Sequence, residues 1–85
     1  MERTALNLEI VSPESVVYSG DIELVELPGK RGRFTILRGH APIISSLSEG
    51  QIRVRPIGSA EDKSFDCKAG YVECTDNKVS VLLNA

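Results

Sequence analysis

Hydrophobic and polar residues alternate along much of this chain with a period of two. Leu6, Leu8 and Ile10 are separated by Asn7 and Glu9, and residues 51–55 and 79–83 contain similar alternation. Successive side chains of a β-strand point to opposite faces, so this pattern places apolar residues on one face only. The pattern therefore predicts a series of half-buried strands and no helical repeat of 3.6 residues.

Residues 21–27 depart from simple alternation. Ile22 and Leu24 would lie on one face of a regular strand, whereas Val25 and Leu27 would lie on the other. A β-bulge inserts one extra residue and reverses the facing of everything after it. A bulge near Leu24 and Val25 would place Ile22 and Val25 on the same side, and we predict one there.

Turn-forming residues separate the apolar segments roughly every 8–12 residues, a spacing typical of a sandwich or barrel. The Asp76-Asn77 dipeptide suits a two-residue hairpin turn because both residue types tolerate positive φ, and it would join residues 71–75 to 78–83. Four spread prolines leave no window for an amphipathic helix of two or more turns. About nine candidate strands result, and a closed or two-sheet structure would cover their apolar faces.

Length and composition agree with one small domain spanning residues 1–85. The chain has 41% apolar and 26% charged residues and a net charge of −2, without the basic excess of a nucleic-acid-binding protein. No apolar run approaches the roughly 18 residues of a membrane helix. Residues 1–4 lack the basic start and apolar core of a signal peptide, so we expect a cytoplasmic chain that reaches a membrane only through another protein.

The sequence contains little that could support catalysis. His40 is the only histidine, and neither Ser45 nor Ser46 has an evident activating partner. We interpret His40 as a loop residue that shapes a turn or contacts a partner. Cys67 and Cys74 lie in strand-like sequence and are predicted to be buried thiols, because a zinc site would need two further ligands at short spacing. No enzyme activity, metal or cofactor is predicted.

Two glycines, Gly29 and Gly32, raise the question of a phosphate-binding loop. Such a loop needs a longer glycine spacing, a Lys-Ser/Thr pair and a following helix, whereas here a strand-like segment, 34–37, follows. We therefore interpret the two glycines as parts of a turn, each supplying an unusual φ.

The clearest charge feature surrounds this turn. Lys30, Arg31, Arg33 and Arg38 place four cations within nine residues, with no acidic residue among them. One interpretation is an ordinary solvated face. The other is an electrostatic contact with an acidic or polar partner surface or with lipid headgroups.

Three pairs of adjacent apolar residues cannot both face inward from a regular strand. They are Val16-Val17, Ile43-Ile44 and Leu82-Leu83. Either a neighbouring loop covers the second member of each pair, or that member belongs to an exposed patch that a partner covers.

Taken in order, several segments resemble the epsilon subunits of F-type ATP synthases. They are residues 6–14, the Tyr18-Ser19-Gly20 turn, residues 28–37, the Gly39-His40-Ala41-Pro42 run through Leu47, the Gly50-Gln51-Ile52-Arg53-Val54 segment, and residues 69–74 and 77–82. The resemblance extends from about residue 6 to residue 83. The most specific part is the Gly-His-Ala-Pro run followed, eight residues after Pro42, by Gly-x-Ile-Arg-Val.

This resemblance implies an all-β fold, a flattened β-sandwich or barrel of about ten short strands in two sheets. It also implies a non-catalytic subunit of the central stalk of a proton-translocating complex. Such a subunit binds the gamma subunit, sits on the c-ring, helps to transmit torque during ATP synthesis, and needs no cofactor, small-molecule substrate or nucleic acid. Its location would be peripheral, on the cytoplasmic face of a bacterial-type energy-transducing membrane.

The resemblance also assigns positions in this chain. The expected ring-facing loop comprises Gly29, Lys30, Arg31, Gly32, Arg33, Arg38 and His40. The expected gamma-facing residues are Pro42, Ile43, Ile44 and Ser45, and the structural turns are assigned to Gly20, Gly50 and Gly70.

Three departures from the family pattern carry further expectations. The sequence ends at Ala85, where many epsilon subunits continue into two helices, so we expect no inhibition by an inserted C-terminal helix. The ring-facing loop is basic where the family is often acidic, which implies an acidic or neutral polar ring surface opposite it. Ala69-Gly70 replaces a common Gly-Gly pair, and Gly70 is the position we expect to need positive φ.

Two other functions are open at this point. Lipoyl and biotinyl carrier domains are small flattened barrels with a modified lysine in a hairpin turn, and Lys63, after Asp62, is the candidate. However, Lys63 lies in the third quarter of the chain, and the Gly-His-Ala-Pro run has no place in that family. A free-standing adhesive or ligand-binding sandwich is the third option.

Overall fold

The structure, a computed structural model, describes residues 5–84 as eight β-strands without a helix. Residues 1–4, on which the expectation about a signal peptide was based, and Ala85 lie outside the described residues. The strands are β1 (Leu6–Val11), β2 (Val16–Gly29), β3 (Gly32–Leu37), β4 (Ile43–Leu47), β5 (Gly50–Pro56), β6 (Lys63–Cys67), β7 (Gly70–Thr75) and β8 (Lys78–Leu83).

The long strand β2 belongs to both layers of the fold. Its first half pairs with β1, which continues through β8 and β7 to β4. Its second half pairs with β3 on one side and with β5 on the other, and β5 pairs with β6. Only β1 and β8 run parallel among these pairs. Because β2 passes from one layer to the other, all eight strands are hydrogen-bonded into one continuous sheet.

The all-β class is confirmed, but the expected number of strands and their division into two separate sheets are not. The described residues form eight strands instead of about ten, because β2 runs unbroken for 14 residues. Gly20, assigned to a structural turn, lies inside β2 opposite Leu8. Gly50 and Gly70 are the first residues of β5 and β7.

The bulge predicted in residues 21–27 is present, and it has the predicted effect. The register between β2 and β5 shifts between Ile22 and Leu24. After this shift both Ile22 and Val25 are buried in the core. One inserted residue therefore lets a single strand bury apolar side chains before and after it crosses between layers.

Alternate residues of all eight strands form the core, as period-two patterning requires. Leu8, Ile10, Ile36, Val54 and Val81 are among those with no exposed surface. Cys67 and Cys74 are buried here as free thiols, which confirms the prediction for both cysteines. Burial raises the pKa of each thiol and keeps it protonated near neutral pH.

The turn between β7 and β8 has the predicted form. Asp76 and Asn77 have φ values of 50° and 61°, the geometry of a type I′ hairpin turn. At the other end of this hairpin, the expectation of positive φ at Gly70 is wrong. Gly70 is required for a different reason, because a Cβ atom there would lie 2.2 Å from the carbonyl oxygen of Leu82.

Candidate docking site

The turn between β2 and β3 displays two cations on a tight loop. Lys30 and Arg31 form the two-residue tip between Gly29 and Gly32, and both are exposed. Gly32 has a φ of 130°, which favours glycine. Gly29 does not have positive φ, but a Cβ there would lie 2.7 Å from the carbonyl oxygen of Gly32. We call residues 29–32 the basic turn.

The basic turn is attached to the C-terminal end of β4. The Lys30 amide donates to the Ser46 carbonyl at 3.2 Å, and the Ser48 amide donates to the Pro28 carbonyl at 2.8 Å. These bonds flank the only register pair between β2 and β4 among the described residues, Gly29 with Leu47. The remainder of β4 diverges from the turn, and a groove lies between them.

This groove brings together two sets of residues that were predicted to face different partners. One wall is the basic turn with Arg33 and Phe34, and the other is residues 43–46 of β4. Three of the four expected gamma-facing residues, Ile43, Ile44 and Ser45, therefore lie beside the expected ring-facing turn. The fourth, Pro42, is exposed just before β4.

The alternation of β4 decides which member of the Ile43-Ile44 pair faces the core. Ile43 packs partly against the core, whereas Ile44 is 74% exposed. No other large hydrophobic residue in the described part of the chain is as exposed as Ile44. No loop of residues 5–84 covers it, so the exposed-patch interpretation applies to Ile44.

Arg33 differs from the two cations at the tip of the turn. Its Nη2 atom donates to the Gln51 carbonyl at 2.7 Å and lies 3.4 Å from Glu26 Oε1. Lys30 and Arg31 have no such ion pair within residues 5–84. The uncompensated charge of the groove is therefore carried by Lys30 and Arg31.

Arg38 and His40 are not part of this groove. They follow the far end of β3, a strand of six residues that spans about 20 Å. The His40 amide donates to Leu37 O at 3.1 Å, and its Nδ1 atom lies 2.7 Å from Ala41 O. The Gly39 amide donates to Asn77 Oδ1 at 2.6 Å, which ties this loop to the turn between β7 and β8.

A network of ion pairs covers the outer surface of β2, β3 and β5. Glu26 lies between Arg33 and Arg53, while Asp62 accepts hydrogen bonds from Arg53 and Arg55. Hydrogen bonds from Arg53 and then Arg33 lower the pKa of Glu26, and those from Arg55 and then Arg53 lower the pKa of Asp62. We call this surface the ion-pair face.

The opposite outer surface carries a row of apolar residues across four strands. Tyr71 is paired with Leu82, Leu82 with Val11, and Val11 with Val16. Tyr71, Leu82 and Val16 are 45%, 37% and 58% exposed. We call this surface, with Ile44 on neighbouring β4, the apolar face. The doubled residues Val16-Val17 and Leu82-Leu83 indicated this surface, whereas nothing in the sequence pattern marked Tyr71 as part of it.

Nothing in the described residues suggests a catalytic or metal centre. Within residues 5–84, no three His, Cys, Asp or Glu residues cluster as a metal site would require. The same range contains no helix long and apolar enough to cross a membrane.

The fold and this surface define a small all-β module with a basic turn and an adjoining groove that exposes Ile44. A family model described as the beta-sandwich domain of the ATP synthase delta/epsilon chain matches residues 5–85. The chain therefore belongs to that family.

Curated relatives carry the name ATP synthase epsilon chain. The chain is 37% identical to those of Chlorobium limicola and Chlorobaculum tepidum, over 92% of its own length and 88% of theirs. It is 35% identical to that of Leptospira borgpetersenii, over 91% of its length but 59% of the relative's. The chain thus spans little more than half of some relatives and most of others.

Solved structures share the fold at low sequence identity. A chain in the Euglena gracilis mitochondrial ATP synthase structure with OSCP, F1 and c-ring superposes with a TM-score of 0.89 at 14% identity, over the whole of this chain and 54% of the other. A chain of the Tetrahymena thermophila central stalk and c-ring structure gives a TM-score of 0.82 at 12% identity, over 67% of that chain. These similarities extend the β-sandwich comparison to two mitochondrial assemblies.

Proposed function

We propose that this chain is a non-catalytic rotor subunit in the central stalk of a proton-translocating F-type ATP synthase. It links the gamma subunit to the c-ring and helps to transmit torque during ATP synthesis. The observation that carries the proposal is the match to epsilon chains of nearly the same length, over 88% of the Chlorobium limicola relative. The Tetrahymena structure is that of a central stalk with its c-ring, which supports the same role.

A torque-bearing linker must resist deformation, and the architecture suits this task. β2 is shared by both layers, so a load applied to one layer passes through backbone hydrogen bonds to the other. A core of apolar side chains lies between them, and close-packed interiors are hard to compress. No cofactor or small-molecule substrate takes part in this role.

The two proposed partners meet adjoining parts of the same groove. The gamma subunit contacts residues 42–45, where Ile44 supplies an apolar anchor that would be desolvated on binding. The c-ring contacts the tip of the basic turn, Lys30 and Arg31, through acidic or polar groups. Arg38 and His40 lie at the other end of β3, so we do not assign them to the same ring contact.

The proposed location follows from the partners. The chain would be held at the cytoplasmic face of a bacterial-type energy-transducing membrane as a peripheral component. Its association with that membrane would depend on the complex.

Co-expression with the gamma subunit of the same source, followed by size-exclusion chromatography, tests the proposal. We expect a stable complex with the unmodified chain and a loss of at least about tenfold in affinity for Ile44→Asp. Ile57→Asp is the matched control, because Ile57 is 54% exposed and lies outside the groove. Failure of the unmodified chain to bind gamma would refute the proposed function.

The lipoyl or biotinyl carrier function finds no support in the position of Lys63. This residue begins β6 and is paired with Val54 of β5, so it does not lie at the tip of a hairpin turn. The free-standing ligand-binding sandwich has no specific observation in its favour.

A further inference from the structure

One edge of β4 has almost no strand partner. Residues 43–47 pair with β7 along their full length on one side, but on the other side only Leu47 pairs, with Gly29 of β2. β3 could have occupied this position, but among the described strands it pairs only with β2. The groove described above therefore has a strand edge as one of its walls.

The hydrogen bonds to the basic turn show which backbone groups face that edge. The Ser46 carbonyl accepts from Lys30, and the Ser48 amide donates to Pro28, so Ser46 and Ser48 direct their backbone groups away from β7. In an antiparallel strand this direction alternates with each residue. Ile44 must then present both its N–H and its C=O to the groove, and Ser46 must present its N–H.

An unpaired edge is a template for an additional strand, and proteins normally block such edges with charge, proline or a covering loop. Here the exposed side chain beside the edge is Ile44, which favours an added strand instead of repelling it. β2 pairs with β4 only at Gly29, because the chain then reverses at the basic turn to form β3. The groove therefore occupies the position that a longer β2 would have filled beside β4.

The charges around the edge indicate the chemistry of the occupant. Lys30 and Arg31 lie at one end of the groove without an ion pair in the described residues. Glu73 is paired with Ile44 on β7, the side of β4 away from the open edge. An extended segment with an apolar residue against Ile44 and a carboxylate near Lys30 and Arg31 would complement both features.

We propose that the groove binds its protein partner by strand addition, with an extended, acid-bearing segment of that partner pairing with Ile44 and Ser46 on the open edge of β4. The inference rests on the proposed function, since it takes the gamma subunit as the protein that supplies the segment. It goes beyond that function because it assigns recognition mainly to main-chain hydrogen bonds. Ile44 then fixes the register of the added strand, and Lys30 and Arg31 favour a segment with a carboxylate.

Amide hydrogen exchange of the ¹⁵N-labelled full chain, alone and in its complex with gamma, tests this inference. We expect the Ile44 and Ser46 amides to exchange at least about tenfold more slowly in the complex, because an added strand would bond them. The amides of Thr35 on β3 and Ser64 on β6, strands that also lie at sheet edges, are internal references whose exchange should change little.

A complex that forms without slowing exchange at Ile44 and Ser46 would overturn strand addition while leaving the proposed function intact. Slowing at Thr35 in place of Ile44 would also overturn it, since β3 would then be the edge in use. If no complex forms with gamma, both the inference and the proposed function fail.

A pair of variants tests the same bond by affinity. Ser46→Pro removes the groove-facing N–H but keeps the carbonyl that accepts from Lys30, and proline is tolerated at strand edges where the N–H faces outward. We expect Ser46→Pro to weaken binding to gamma about tenfold, and Ser46→Ala, which keeps the N–H, to stay within about twofold. Equal affinity of the two variants would contradict the inference, and the exchange experiment decides it if Ser46→Pro does not fold.

Discussion

The two outer faces of this sandwich differ in the side chains that they expose to solvent. On the ion-pair face, Glu26 and Asp62 each contact two arginines, so charges on neighbouring strands compensate one another. On the apolar face, Tyr71, Leu82 and Val16 form a row in contact with solvent, and Ile44 projects from the adjoining strand. On the first face the charges are paired within the chain, although Leu37 of β3 is 53% exposed there. The second face instead leaves a row of apolar side chains that a partner can bury.

This difference shows which exposed residues contribute to stability and which are available for binding. Exposed ion pairs contribute little to stability individually, but a network holds its strands and connecting loop in one geometry. An exposed apolar side chain contributes little to the isolated domain. Mutations on the two faces should therefore separate stability from assembly.

The largest effect should come from comparing a core leucine with one on the apolar face. Leu8 is fully buried, so Leu8→Ala should lower the free energy of unfolding by about 3 kcal/mol through lost burial and a cavity. Leu82→Ala should cost less than about 1 kcal/mol, because Leu82 remains 37% exposed. Urea denaturation of both variants measures the two losses in free energy of unfolding. Similar losses would mean that Leu82 is part of the core and not of an exposed face.

Gly70 should be the next most sensitive position. Gly70→Ala would place a Cβ atom 2.2 Å from a backbone oxygen of β8, and the strands must separate locally to admit it. We expect a loss of about 2 kcal/mol, within the range for overpacked sites. Gly20→Ala is the control, because its new Cβ would meet only a side-chain atom, the Tyr18 hydroxyl, at 3.3 Å. A larger loss for Gly20→Ala would contradict the close approach at Gly70.

Charge reversal at the tip of the basic turn should affect assembly without affecting folding. Lys30→Glu with Arg31→Glu should weaken assembly with the c-ring about tenfold at low salt, and less at 0.5 M salt, where screening removes the electrostatic contribution. The same variant should also weaken binding to gamma, because these two cations adjoin the groove proposed for its acid-bearing segment. This pair is preferable to one including Arg33, whose charge serves the ion-pair face. Lys63→Glu with Lys78→Glu is the matched control, since both lysines are exposed on other strands. Unchanged proton-coupled activity in the Lys30 and Arg31 variant would remove the proposed ring contact.

The smallest effect should be an acid-dependent loss of stability on the ion-pair face. The pKa values of Glu26 and Asp62 are lower in the folded chain than the ordinary values of about 4.5 and 3.8, so the unfolded chain binds protons more readily. Their contribution is present above those ordinary values and is lost as pH falls through the lower folded values. Asp62→Asn should therefore flatten the decline of stability below about pH 4, as thermal unfolding between pH 6 and pH 3 would show. A decline as steep as in the unmodified chain would exclude Asp62 as a cause.

Much of the fold could be predicted from local pattern, because a strand's facing depends only on its own alternation. The hairpin at Asp76-Asn77 and the bulge before Val25 followed from residue type and from one break in the alternation. Gly20 misled the prediction because glycine marks turns more often than strand interiors. At Gly70 the need for glycine was foreseen but not its cause, since that cause is an oxygen twelve residues away in the chain.

The candidate site was predicted only in pieces. Its basic turn and its doubled isoleucines were visible in the residues themselves, since a cluster of cations and an apolar pair need no neighbour to be recognised. Their meeting in one groove was not visible, because Lys30 and Ser46 come together through pairing between strands distant in sequence. Arg38 is close to Lys30 in sequence but lies at the other end of β3, because the extended strand separates them.

Period-two hydrophobicity and turn chemistry act over a few residues, so strand positions, facing and the all-β class were already contained in the linear chain. Register between distant strands depends on the packing of the whole core. Only the folded molecule therefore decided that Tyr71 joins Leu82, Val11 and Val16 in one row. It also decided that β4 keeps an open edge beside Lys30 and Arg31, two cations without an ion pair in residues 5–84.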